Sequence, residues 1–460
     1  MIQGPSALRA RSDDDDTSSD GSAELERILA AGDLTAVFAP IVDLTTGEAV
    51  GFEALPCGPV GSPLQRTEAL VTAANAAGRG DELDRIFRAQ GLRAVVDSGL
   101  APPHVLFVNR EPSGAAADAS AAVQLLALRR RGLRAVITLT ERDLSRDPVE
   151  LLAFADAIRA AGMGIALDVG VGADSLALTP FLMPDVIKLD ENLLRRRPDG
   201  ATSQLLSAVR VHAERRGAVI LAEGIDTREH RRLAEAMGAT LGQGPMFGEP
   251  GALPTARGAT APLPSPSRPL VLRDADPRLA EASPFEMASA AHRPMRAPAD
   301  LLLALRQQLE EGVWTLRGLV VVLLSNIDGP HLSVTCRGSR GCDCAERYTA
   351  LTTAARFVAA LGAAMPEELV PGLRGSPLAP DDPVGDEWNM VVVSPYFTAA
   401  IVAEERQDAH PEEGRAFDYV MTYDRDLVID IARTMMTRAL PHESPRAEIE
   451  AVLAAPVRRG

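Results

Sequence analysis

The sequence predicts an α/β protein of two domains, a (β/α)8-like barrel followed by a C-terminal α/β domain. Three observations predict it. Between residues 24 and 250, short apolar β-branched runs alternate with amphipathic stretches. Strand-helix alternation of this kind builds a mostly parallel sheet with helices outside, and about eight units in roughly 230 residues suit a closed barrel. Residues 251–283 lose all periodicity and become rich in proline, alanine and glycine, as a linker does. Residues 284–440 then resume the alternation. An open doubly wound sheet is the alternative for the first domain. The absence of a glycine-rich phosphate loop after the first strand counts against it.

Each barrel element has its own signal. Strands are predicted at 36–44, 49–55, 104–109, 134–141, 164–168, 185–190, 218–224 and, briefly, 239–244, where apolar runs end in polar residues. Helices fall between them. That over 148–162 opens on Pro148 and closes on Gly162, as helix termini prefer. In the second domain, helices are predicted at 301–312, 347–365 and 424–440, the last capped by Asp424, with strands at 316–327, 388–395 and 398–406. Residues 1–23, with Asp13–Asp16 among serines, read as a disordered acidic tail, and 441–460 as a C-terminal tail.

Composition narrows the function. The net charge of −16 argues against capture of a nucleic acid polymer or an anionic membrane, while leaving room for a small anion at a local site. No stretch reaches the ~18 apolar residues of a membrane span, and the N-terminus has no basic-then-apolar signal pattern. Four cysteines are too few for a disulfide scaffold of this size, so a cytoplasmic protein is expected. All but one of the 47 basic residues are arginine, the exception being Lys188. A compact ammonium can serve where a planar guanidinium cannot. The structural alternative is a buried lysine tied to Asp190.

In a barrel, the C-terminal strand ends meet over one mouth. Here they carry Glu53, Asn109, Asp168, Lys188 with Asp190, Glu223 and Gln243. One polar strand end is ordinarily a loop start or a helix cap. Six on one face point to a site. Carboxylates with an amide oxygen are hard donors suited to Mg2+ or Mn2+, and a lysine beside them would orient water or offset phosphate charge.

The first domain carries API at 39–41, GFEAL at 51–55, FVN at 107–109, IALD at 165–168, DVIKLD at 185–190, AEGIDT at 222–227 and GQGPMFGEP at 242–250. Through these motifs residues 28–250 resemble the EAL family of cyclic di-GMP phosphodiesterases. The resemblance implies a two-metal barrel that hydrolyses one phosphodiester of cyclic di-GMP. Glu53, Asn109 and Asp168 stand at its metal-ligand positions. Lys188 and Glu223 stand at its catalytic positions, Gln243 and Asp190 at ligand-facing ones, and Asp226 at the second acid of the AEG motif. Other positions depart from the family pattern. Thr138 replaces a metal-binding glutamate, Val169 follows Asp168 where a second aspartate belongs, Ala39 replaces a glutamine, and Cys57 replaces a phosphate-gripping arginine. A thiol cannot supply an arginine fork.

Residues 284–440 resemble the DICT sensory domain, through VVVLLSNIDG at 320–329 and the segment 417–440. Together the resemblances imply a cyclic di-GMP-related signalling protein whose degenerate barrel acts by binding a partner signalling protein, or cyclic di-GMP weakly, and which pairs as a homodimer. Metal, if retained, would be Mg2+ or Mn2+. An active metal-dependent phosphodiesterase is the first alternative. The second is a redox or metal-responsive switch at Cys336, Cys342 and Cys344, where neighbouring arginines would lower thiol pKa values. These cysteines lack zinc-finger spacing, and the structural reading is an ordinary loop.

Overall fold

The computed structural model describes residues 14–98, 100–109, 132–140, 148–170, 179–253, 265–272, 282–316, 320–326, 344–363, 365–406 and 416–439. The first domain runs α1 (Asp14–Ala31), β1 (Thr35–Asp43), β2 (Ala49–Cys57), α2 (Thr67–Ala76), α3 (Gly80–Asp97), β3 (Val105–Asn109), β4 (Arg134–Leu139), α4 (Pro148–Ala160), β5 (Gly164–Val169), α5 (Thr179–Leu182), β6 (Val186–Leu189), α6 (Asn192–Arg195), α7 (Gly200–Arg216), β7 (Val219–Ala222), α8 (Arg228–Ala236) and β8 (Leu241–Gly242). The eight strands close into a barrel in sequence order.

The expected alternation holds, with one reversal: β1 runs antiparallel to both β2 and β8. The turn at 44–48 is the reason. Asp43 accepts from the backbone N–H groups of Thr45 and Thr46 at 2.7 and 2.9 Å, and Gly47 takes φ 74°. So short a connection can join only antiparallel strands. Helix α1 begins at Asp14, inside the span expected to be a disordered tail.

Inside the barrel, Ile41, Val50, Val105, Phe107, Val136, Ala166, Val186, Leu221 and Leu241 form a closed apolar core. Leu272, from the segment expected to be a free linker, joins this core. Gly164 leaves room for it: a Cβ there would lie 2.8 Å from a Leu272 methyl. Arg134 holds the segment by donating to the Leu272 carbonyl at 3.2 Å. This stretch of the linker therefore docks at the N-terminal ends of the strands, away from the mouth.

The second domain runs α9 (Pro284–Ala291), β9 (Met295–Pro298), α10 (Ala299–Leu316), β10 (Val321–Ser325), α11 (Cys344–Ala354), β11 (Phe357–Gly362), β12 (Leu373–Pro377), β13 (Glu387–Val393), β14 (Thr398–Glu405), β15 (Ala416–Thr422) and α12 (Arg425–Arg438). Its seven strands form one mixed sheet in the order β12-β11-β10-β13-β14-β15-β9, parallel only across β10–β11–β12. The helix expected over 347–365 is corrected: it ends at Ala354, and Phe357–Gly362 is a strand. Alanine favours helix, but this run lies between two strands and is buried on both faces. Tertiary burial overrides so small a propensity.

Alternate residues divide the sheet's two faces. Val322, Leu324, Val358 and Ala360 pack with α10 and α11, whereas Val321, Leu323, Ala359 and Leu361 belong to a core that continues into the barrel. Helix α12 lies at that continuity. Val428, Ile429, Ile431, Ala432, Met435 and Met436 are all buried within it. Among the described residues, no helix is long and apolar enough to cross a membrane.

Candidate active site

The mouth follows from strand periodicity. Side chains two residues apart share a face. Phe107, Val136, Ala166, Val186, Leu221 and Leu241 line the apolar core. Two residues on, the same face carries Asn109, Thr138, Asp168, Lys188, Glu223 and Gln243. Glu53 on β2 joins them across the barrel, donated to by Lys188 Nζ at 2.8 Å and by Gln243 Nε2 at 2.7 Å. A polar layer thus rests on a dry one.

Lys188 is at the centre. Its ammonium is 2.8 Å from Glu53 Oε1, 2.7 Å from Glu223 Oε1 and 3.5 Å from Asp168 Oδ1, and its side chain is 2% exposed. Burial opposes its charge, but Asp168, Glu223 and Glu53 outweigh burial and hold its pKa well above the ordinary lysine value. Burial also works against Glu53. Lys188, with hydrogen bonds from Gln243 and Asn109, reverses that and lowers its pKa. Asp168 goes the other way, raised by burial and by the nearby charges of Glu53 and Asp190 against the pull of Lys188. Glu223 is pushed up to about 8, chiefly by burial and then by Asp168 and Glu53. The site thus separates one firmly ionised carboxylate from two that hold protons more readily.

Four oxygens in this layer are poorly satisfied. Asn109 Oδ1, Thr138 Oγ1 and Gln243 Oε1 are buried without a hydrogen-bond partner, and Asp168 Oδ1 has only its long contact to Lys188. Buried oxygens of this kind suit a hard cation. Among the described residues, however, no three acidic, histidine or cysteine side chains are arranged to hold a metal. The three carboxylates converge on Lys188 instead. Even with all three ionised, three carboxylates less one ammonium offset the charge of at most one divalent ion.

The remaining sequence candidates lie around this layer. Asp190 is not tied to Lys188. Its Oδ1 accepts from the Asn192 backbone N–H at 2.7 Å, shaping the turn into α6. Asp226 pairs with His230 Nδ1 at 2.6 Å on α8. Cys57 is half-buried, its thiol donating to the Gln65 carbonyl at 3.1 Å. Cys336 and Cys342 lie outside the described residues. Cys344 opens α11, and its side chain is likewise outside them.

Comparison with known families agrees with this geometry. The EAL domain family model matches residues 22–250, and the model for a sensory domain in diguanylate cyclases and two-component systems, DICT, matches residues 286–406. The chain joins an EAL domain to a DICT domain. That pairing indicates cyclic di-GMP signalling. The sheet of the DICT domain extends past the matched residues, because β15 pairs with β14 and β9. An uncharacterized protein of Azorhizobium caulinodans is 28% identical over 228 residues, which cover 46% of this chain and 30% of that protein. The chain therefore matches under a third of that relative's length. Among solved structures, the chain is similar to the PaMucR phosphodiesterase in complex with c-di-GMP, at 22% identity over 52% of this chain and 98% of that one, TM-score 0.43. The FimX EAL domain of Xanthomonas citri in complex with c-diGMP matches at 17% identity over 52% and 96%, TM-score 0.42. The manganese/cy-diGMP complex of Klebsiella pneumoniae BlrP1 matches at 26% identity over 47% and 56%, TM-score 0.39.

Proposed function

We propose that the EAL barrel of this chain is a regulatory module without phosphodiesterase turnover. It acts by binding a partner signalling protein or by weak binding of cyclic di-GMP, and the DICT domain supplies the sensory input. The observation that carries this reading is the polar layer at the mouth. Its three carboxylates are gathered on Lys188, and Thr138 stands where the family resemblance puts a further acid. A two-metal centre holds its ions about 3.5–4 Å apart and needs several carboxylates to offset their repulsion. Loss of even a supporting partner typically costs about 10–100-fold in metal affinity or activity. Cys57 and Ala39 remove two further polar groups from the rim.

An active metal-dependent phosphodiesterase remains the competing reading, favoured by the convergence of Glu53, Asn109, Asp168, Lys188 and Glu223 on one point. Purified full-length protein incubated with cyclic di-GMP and Mg2+ or Mn2+ separates the two. The expected outcome is no linear dinucleotide, with calorimetry reporting either weak binding of cyclic di-GMP or none. Metal-dependent turnover that disappears in Glu53→Ala would overturn the proposal.

A further inference from the structure

A second concentration of charge lies far from the mouth, where the two domains meet. Arg215 and Arg216 occupy the last turn of α7, and Arg425 opens α12. They line one shallow groove, open to solvent, whose apolar walls include Val211, Pro180 and Ile429. The three guanidiniums share the groove with one lining carboxylate, Asp426.

That carboxylate is already engaged. Arg216 Nη2 is 3.1 Å from Asp426 Oδ1 and 3.8 Å from Asp430 Oδ1. Arg425 donates Nη1 to the Ser394 carbonyl at 3.1 Å. Burial lowers the pKa of Arg425, and Arg215 and Arg216 lower it further, with Asp426 offsetting part of the effect. Like charges brought together from two domains repel, and in a chain of net charge −16 acidic partners are plentiful. A bound anion would relieve this repulsion.

We propose that the groove between α7 and α12 is a binding site for a small phosphate-bearing ligand, held by Arg215 and Arg216 from the barrel and Arg425 from the second domain. Guanidinium forks match phosphate oxygens in geometry and charge. Because each domain contributes an arginine, occupancy favours the docked arrangement of barrel and sensor. The site is separate from the barrel mouth and independent of whether the barrel hydrolyses anything.

The test is isothermal titration of the full-length protein with inorganic pyrophosphate at fixed ionic strength. EDTA is included so that no metal ion recruits phosphate to the mouth. Saturable binding is expected. Arg215→Gln and Arg425→Gln should each weaken it about tenfold or more, the scale of one lost charge-assisted contact. Arg197→Gln, an exposed arginine elsewhere on the barrel, should leave it unchanged. Thermal melts check that each variant is folded, and Arg425→Lys, which keeps the charge, should retain part of the affinity. Absence of saturable binding in the wild type would overturn the proposal. So would binding that persists in the folded Arg215→Gln, Arg425→Gln double variant.

Discussion

Lys188 is a single cation that holds three strands' carboxylates together in a buried space. Removing it leaves those charges facing one another without compensation. Lys188→Met should therefore lower stability by about 3–5 kcal/mol in denaturant melts, the scale for breaking a buried ion pair. A loss below about 1 kcal/mol would mean that the carboxylates are neutral or water-bridged. Glu223 gives the site a pH dependence. Its folded pKa, about 8, lies above the ordinary glutamate value of 4.5, so the folded state holds the proton more tightly. That contribution is fully present below about 4.5 and is lost as pH rises through about 8. Glu223→Gln should gain stability relative to wild type as pH rises from 5 to 9, and parallel curves for the two proteins would refute the assignment. The mouth residues were legible in the sequence because period-two strands place polar ends on one face. The gathering on Lys188 was not: sequence proximity pointed to Asp190, two residues away, whereas the partners come from β2, β5 and the end of β7.

Among the elements, the docked segment at 265–272 departs furthest from its composition. Its prolines and serines follow no period, so nothing in the sequence marks Leu272 as part of a core. Its burial depends on the open floor of the barrel and on Gly164 beneath it. Leu272→Ala should cost about 2–5 kcal/mol, the range for truncating a buried leucine, and a change under 0.5 kcal/mol in urea melts would restore the free-linker reading. The strand β11 carries the same lesson. An alanine-rich run reads as helix until neighbouring strands pair with it from both sides.

At the scale of the whole molecule, one apolar core runs from the barrel helices through α12 to the DICT sheet. Arg433 on α12 crosses the junction, pairing with Asp156 on α4 and donating to the Phe181 carbonyl at 2.5 Å. Its side chain is only 4% exposed. The full chain should therefore unfold in one cooperative calorimetric transition. Asp156→Ala, which strands a buried guanidinium, should lower that transition as a whole. Two separable transitions, only one of them shifted, would show that the domains fold independently.

The sequence by itself determined the strand-helix alternation, the polar strand ends and the family motifs, because each is written in local periodicity and residue type. Only the tertiary structure decided which charges meet. Lys188 finds Glu53, Leu272 seals the barrel floor, and Arg425 and Arg215 line one groove at the domain junction. Those pairings join residues up to about 210 positions apart, and no local pattern encodes them, because ring closure and domain docking bring them together.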